Sequence, residues 1–186
     1  MTEDATVLVV DDEDKLADMY VLWLRNEYDV RTAYGAREAM NELDESVDVV
    51  LLDRRMPGVS GDRFLDELPE ERSFSVVMIT AVEPDFDIVE MEFDDYLCKP
   101  AQHDDLSAAI DHQLHAQDRQ EPLREYLVAR SKLTVLETEK SPHELSGHSA
   151  YEDLRATTER LEATLRRSIA DFDDIVEDFL AIDRGA

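Results

Sequence analysis

Five short apolar runs punctuate the first half of the chain. Thr6–Val10, Asp29–Ala33, Val47–Leu52, Phe74–Ile79 and Asp94–Cys98 are rich in Val, Ile, Leu and Tyr, a strand composition. Amphipathic segments lie between them. In Glu13–Glu27, Leu16, Met19, Tyr20, Trp23 and Leu24 fall on one helical face. Apolar runs that are continuous rather than alternating belong to strands buried on both sides, so the pattern predicts a parallel sheet covered by helices. Five β–α units make a doubly wound α/β domain, whose ligand crevice lies at the carboxyl ends of the strands. Asp11 and Asp12 follow the first run, Asp53 the third, Thr80 the fourth and Lys99 the fifth. On neighbouring parallel strands, three carboxylates, a hydroxyl and an amine meet at one edge.

The pattern changes after a helix predicted over about 102–118. Arg119-Gln120-Glu121-Pro122 interrupts it, and Pro122 suits the first turn of a new helix running to about Lys140. Ser141–Ser149 collects Ser, Pro, Gly and His and reads as a loop. One long helix is expected over about 150–182, about 50 Å at 1.5 Å per residue. Along it Leu154, Thr158, Leu161, Leu165, Ser168, Phe172, Ile175, Phe179 and Ile182 alternate four and three apart, the spacing of a coiled-coil seam. Two partners suit that seam. One is the preceding helix, with Leu123, Tyr126, Leu127, Leu133 and Leu136, folded back as a hairpin; the other is a second chain, giving a homodimer. The chain thus divides into 1–118 and 119–186.

Charge narrows the setting. There are 46 acidic and 19 basic residues, and four of the basic ones are lysines: Lys15, Lys99, Lys132 and Lys140. Such a surface keeps a protein hydrated where molar salt cuts the screening length to about 3 Å, so a salt-rich cytoplasm is expected. DNA binding is disfavoured for want of a basic stripe. The apolar runs are too short to span a membrane, the MTEDAT start lacks a basic or apolar leader, and the single Cys98 permits no intramolecular disulfide. A cytoplasmic location follows as the expectation. His112, His115, His143 and His148 lack neighbouring carboxylates at ligand spacing and are expected to be solvated.

Four strings carry a resemblance: VLVVDDE, VVLLDRRMPGVSG, VVMITA and DDYLCKP, in order over residues 1–118. They resemble the receiver domain of two-component response regulators, and the whole chain resembles haloarchaeal regulators of the HalX type. The resemblance implies a flavodoxin-like five-stranded sheet of order 2-1-3-4-5 followed by an all-α extension. It also implies a sensor histidine kinase as phosphoryl donor, Asp53 as phosphoacceptor and Asp11 and Asp12 as the acid pocket. Thr80 corresponds to the switch hydroxyl, Tyr96 to the switch aromatic and Lys99 to the pocket lysine, aimed inward by a cis peptide before Pro100. Arg55 overhangs the pocket in this family and so modulates phosphoryl lifetime. Phe93 stands where the family usually has a small residue.

The chemistry of the residues agrees with those roles. Crowded carboxylates repel, and an oxygen-seeking Mg²⁺ relieves that repulsion. Its expected ligands are Asp12, Asp53 and the Arg55 backbone carbonyl, with Asp11 acting mainly through water. Asp53 is then a nucleophile that forms an acyl phosphate, while Lys99 offsets charge on the phosphoryl oxygens. Thr80 hydrogen-bonds the arriving group, and Tyr96 turns into the space vacated. A Mg²⁺-dependent hydrolase is a competing reading, but Arg55 stands where that class carries a second acid. Another is a transcriptional regulator whose tail contacts DNA or the transcription machinery. Glu83–Asp95 holds seven acids and no base, and Ala101–Asp118 adds four acids without Lys or Arg. Ionic dimerisation across that face is therefore not expected.

Overall fold

The computed structural model describes residues 5–69, 72–117 and 120–184. Strands β1 (Thr6–Val10), β2 (Asp29–Ala33), β3 (Val47–Leu52), β4 (Ser75–Thr80) and β5 (Asp95–Cys98) form one parallel sheet. Its order is β2-β1-β3-β4-β5, the doubly wound arrangement expected. β1, β4 and most of β3 are fully buried, which is why their sequences are continuously apolar. Helices α1 (Asp14–Leu24), α2 (Ala36–Glu42), α3 (Gly61–Glu67) and α4 (His103–Gln117) complete the α/β unit, with α1 and α4 on one face and α2 and α3 on the other. Between β4 and β5 there is only a short 3₁₀ segment, Phe86–Val89. The junction at residues 118 and 119 lies outside the described residues. No helix among the described residues is long and apolar enough to cross a membrane.

The short 3₁₀ segment leaves sheet surface uncovered, and the tail fills it. α5 (Glu121–Glu139), with Pro122 in its first turn, lays Leu133, Val135 and Leu136 into the cluster that holds Met78, Phe93 and Tyr96. Each such leucine, fully buried, contributes about 1.5–3 kcal/mol. The 141–149 segment is not wholly a loop. Ser141 and Glu144 form a reciprocal capping box that starts α6 (Pro142–Leu145), a pattern legible in Ser-Pro-His-Glu.

α7 (Ser149–Ser168) then folds back on α5 as an intramolecular hairpin. The single helix expected over 150–182 is two helices in the structure. It breaks at Ile169, whose backbone is extended, and resumes as α8 (Phe172–Leu180). α5 has only 19 residues, too short to cover a straight seam of that length. The break turns Phe172 onto Tyr126, ring centroids 5.2 Å apart, and Phe179 onto His112, at 4.7 Å. Ser168 assists by turning its hydroxyl back to the carbonyls of Thr164 and Leu165. His112 is thus buried rather than solvated, and His148 stacks on Phe86 at 3.6 Å.

The acidic run at 83–95 finds its counter-charges within the same chain. Lys140 pairs with Asp85 at 3.2 Å, Arg124 lies 3.8 Å from Asp94, and Arg184 makes two bonds to Asp95, at 2.9 and 3.0 Å. Lys132 is buried, donating to the carbonyls of Val89 and Met91 over the Phe93 ring. Phe93 is therefore not an anomaly in the turn; it is the floor under a tail lysine.

Burial pulls the Lys132 amine down to about 8, while the charges of Asp94 and Glu92 resist. Its unfolded value is near 10.4, so between pH 8 and about 10 the unfolded chain binds more protons than the folded one, and stability rises with pH. Denaturant titrations across that window are expected to give a positive slope in the wild type and a flatter one in Lys132→Met. Equal slopes would refute the assignment.

Candidate functional site

The sheet's register assembles the crevice. Val10 pairs with Leu52, and the Asp53 N–H donates to the Val10 carbonyl at 2.8 Å, so Asp11 and Asp53 emerge side by side. Thr80 pairs with Cys98, and the Lys99 N–H donates to the Thr80 carbonyl at 2.9 Å. Lys99 reaches across the strand ends, with Nζ 2.7 Å from Asp11 Oδ2 and 3.0 Å from Asp53 Oδ2. The peptide between Lys99 and Pro100 is cis, as expected. Asp11 also receives the Glu13 N–H at 2.9 Å, which fixes its carboxylate at the entry to α1.

A tight turn holds Asp53 in place. Gly61 lies so close to the backbone that a Cβ there would sit 2.3 Å from the Asp53 carbonyl oxygen, and its N–H donates to the Arg54 carbonyl at 2.8 Å. Only glycine permits that approach. The loop from β3 to α3 is closed by it. Arg54, buried at the end of β3, bonds Asp62 at 2.8 Å and Asp87 as well, tying α3 to the 3₁₀ segment.

Carboxylate oxygens of Asp11, Asp12 and Asp53 all fall within 4.8 Å of one another. Burial raises the Asp11 pKa above its ordinary value, against the lowering effect of Lys99. Burial also opposes charge on Lys99, but the hydrogen bond to Asp11 and the nearby Asp53 carboxylate outweigh it, so the amine titrates above its usual range. An all-oxygen donor set of this kind, with Asp12 only half-buried, fits Mg²⁺, which keeps some of its waters.

Thr80 is fully buried, and its hydroxyl accepts the Val82 N–H at 3.2 Å, leaving the hydroxyl proton free to donate. Tyr96 donates to the carbonyl of the same Val82 at 2.9 Å. The two expected switch residues therefore grip one peptide neighbour from opposite sides. Tyr96 is already turned inward, with 0% exposure, and shares its cluster with Leu133 and Leu136 of α5. Burial accordingly pushes its phenol above the ordinary range. Cys98 is half-buried and its thiol is raised to about 11 by desolvation, the state of an inert strand residue.

Asp53, Arg55, Thr80, Ala81, Val82, Glu83 and Asp85 line a cleft of about 510 Å³, and Lys140 completes its wall. Arg55 is exposed at the rim. The sequence drew attention to every strand-end residue here, but to neither Arg54 nor Lys140. A lysine kept in a chain with so few was the available signal for the second.

Comparison with known proteins agrees with this geometry. The response regulator receiver domain profile matches residues 7–111, and the HalX domain profile matches residues 116–183. A Haloferax volcanii protein described as "Putative transcriptional regulator" is 43% identical over 176 residues, covering 91% of this chain and 30% of that protein. Regulatory protein VanR of Enterococcus faecium is 34% identical over 113 residues, covering 58% of this chain and 49% of its own. The chain thus spans less than half the length of either curated relative. A receiver domain structure from Clostridium thermocellum superposes with a TM-score of 0.55 at 28% identity, covering 61% of this chain and 96% of the other. With its strand order, clustered acids and two consecutive profile matches, this chain belongs to the response regulator receiver domain family and carries a HalX domain behind it.

Proposed function

We propose that the protein is a cytoplasmic two-component response regulator, in which residues 1–118 accept a phosphoryl group from a sensor histidine kinase on Asp53 and residues 119–186 form the output module. The observation that carries this reading is Lys99 bonded to both Asp11 and Asp53 at the carboxyl edge of the sheet. Asp53 Oδ attacks phosphorus, the P–N bond to the donor imidazole breaks, and the imidazole leaves with a proton. Lys99 then turns its charge to the new phosphoryl oxygens, and Thr80 donates its hydroxyl proton to one of them. Asp11, Asp12, Asp53 and the Arg55 carbonyl would hold Mg²⁺, which when bound supplies charge neutralisation at the phosphoryl oxygens. Arg55, at the rim, limits water access to the acyl phosphate and so tunes its lifetime.

Thr80 and Tyr96 transmit the change through Val82, since moving one displaces the neighbour that the other holds. Shifting such an equilibrium from 1:99 to 99:1 requires about 5.5 kcal/mol, within reach of a few charge-assisted hydrogen bonds. The output is read as a protein contact. Transcriptional control, suggested by the description of the Haloferax volcanii relative, is the second reading. Arg124, Lys132, Lys140 and Arg184 of the tail are occupied by internal partners, and Arg155 and Arg166 pair with glutamates of their own helix, so phosphates would meet mainly the exposed Arg160 and Arg167 of α7.

Incubation with a small phosphodonor in molar salt is expected to add one phosphoryl mass to the intact protein, and chelation of divalent cations is expected to suppress it. Incorporation that ignores the chelator would remove the metal-assisted mechanism.

A further inference from the structure

Lys140 is the first residue past α5, and α5 is anchored by Leu133 and Leu136, both buried under the receiver sheet. Its N–H closes the last turn on the Leu136 carbonyl at 2.9 Å, so the side chain springs from a fixed point. From there it enters the wall of the cleft that holds Asp53 and Thr80. Its present partner, Asp85, is a weak competitor. That carboxylate is largely exposed, and it also serves as the cap that accepts the Phe86 N–H at 2.9 Å. The rest of that wall is Glu83, Arg55 and apolar or neutral groups, so Lys140 is the cation that the tail contributes to this cleft.

An acyl phosphate on Asp53 places about −1.5 to −2 charge and three strong acceptors in the cleft. We propose that Lys140 is the tail's phosphoryl-reading residue: it leaves Asp85 for an oxygen of the phosphorylated Asp53, and so ties the end of α5 and the capping box at Ser141 to the cleft. This rests on Asp53 being the acceptor. It adds a direct contact between the modified site and the helical module, parallel to the route through Thr80 and Tyr96. Lys140 is a positioning residue, not part of the transfer chemistry. Asp85 opposes it by holding the amine back.

The test uses the full chain with Mg²⁺ and beryllofluoride as phosphoryl mimic, reading both mimic affinity and amide hydrogen exchange over residues 130–150. Lys140→Ala is expected to weaken beryllofluoride binding about three- to tenfold, the scale of one partly exposed charge-assisted bond. Lys140→Arg is expected to restore it. Asp85→Asn, which keeps a capping side chain, is expected to tighten binding, because it frees the amine. Wild-type protein should gain protection at the end of α5 and in α6 on binding the mimic, and Lys140→Ala should not. Wild-type affinity and wild-type protection in Lys140→Ala would overturn the proposal while leaving Asp53 as acceptor. Failure of the wild-type protein to bind the mimic or to phosphorylate at all would sink the acceptor reading and this one with it.

Discussion

Asp53→Asn is expected to abolish phosphoryl incorporation outright, with no adduct detectable by intact mass, while circular dichroism stays unchanged. The substitution is nearly isosteric and keeps the hydrogen bonds that the turn requires, but an amide is no nucleophile toward phosphorus. The effect is specific to this carboxylate. Asp11 is held by Lys99 at 2.7 Å and by the Glu13 N–H, and Asp12, clustered with Asp11 and Asp53, is proposed as a metal ligand rather than as the acceptor. Asp11→Asn and Asp12→Asn should therefore slow incorporation, by roughly 10- to 100-fold, without eliminating it. Lys99→Ala is expected to slow it by about 10²-fold, the usual scale for removing one charge-stabilising donor. If Asp53→Asn still takes up a phosphoryl group, the acceptor lies elsewhere and the crevice needs another explanation.

The second large effect concerns stability. Arg184 is buried with Asp95 in a two-pronged ion pair, its side chain 3% exposed and that of Asp95 0%. The guanidinium also donates to the Phe179 and Ile182 carbonyls and lies 4.0 Å from the Phe179 ring centre, while the Arg184 carbonyl accepts the Cys98 N–H at 2.7 Å along the free edge of β5. Asp95 additionally receives the Tyr96 N–H and the Ser131 hydroxyl of α5. Removing one partner strands the other charge without water. Arg184→Ala is expected to cost about 3–5 kcal/mol, a fall in melting temperature on the order of 10 °C for a chain of this size. The pair lies beyond the reach of bulk ions, so the loss should persist in molar salt, unlike that from an exposed pair such as Arg155 with Glu159. Asp95→Asn with Arg184→Met together should recover part of it, since neither then leaves an uncompensated charge. A change below about 1 kcal/mol would show that the pair is hydrated in solution.

The first prediction concerns the carboxyl ends of the strands, the second the β5 side of the sheet. The receiver's α/β layers are ordinary, but the place usually given to a helix between β4 and β5 holds only one 3₁₀ turn, and tail helices cover the gap. Ionic dimerisation across that face was not expected from its one-sided charge. In the structure, Arg124, Lys132, Lys140 and Arg184 of the same chain lie against that face. The tail helices thus share a hydrophobic cluster with the receiver sheet.

The strands, the strand-end acids, Thr80 and Lys99 were legible in the sequence because each depends on local information. Continuous apolar runs mark buried parallel strands, and the residue after such a run has one place to go. That the tail seam needs a partner was legible too, with a hairpin and a second chain both open. Tertiary structure alone showed α7 against α5, because intramolecular closure depends on the length of α5 and on the receiver surface left bare. It also decided that the helix breaks at Ile169, that His112 is buried under Phe179, and that Tyr96 points inward. Lys140 in the cleft of Asp53 and Arg184 beside Asp95 are each tens of residues from those acids, with no repeating pattern between them. Long-range pairing of this kind leaves no periodic trace; it arises only when packing brings an acidic edge and scattered cations to the same surface.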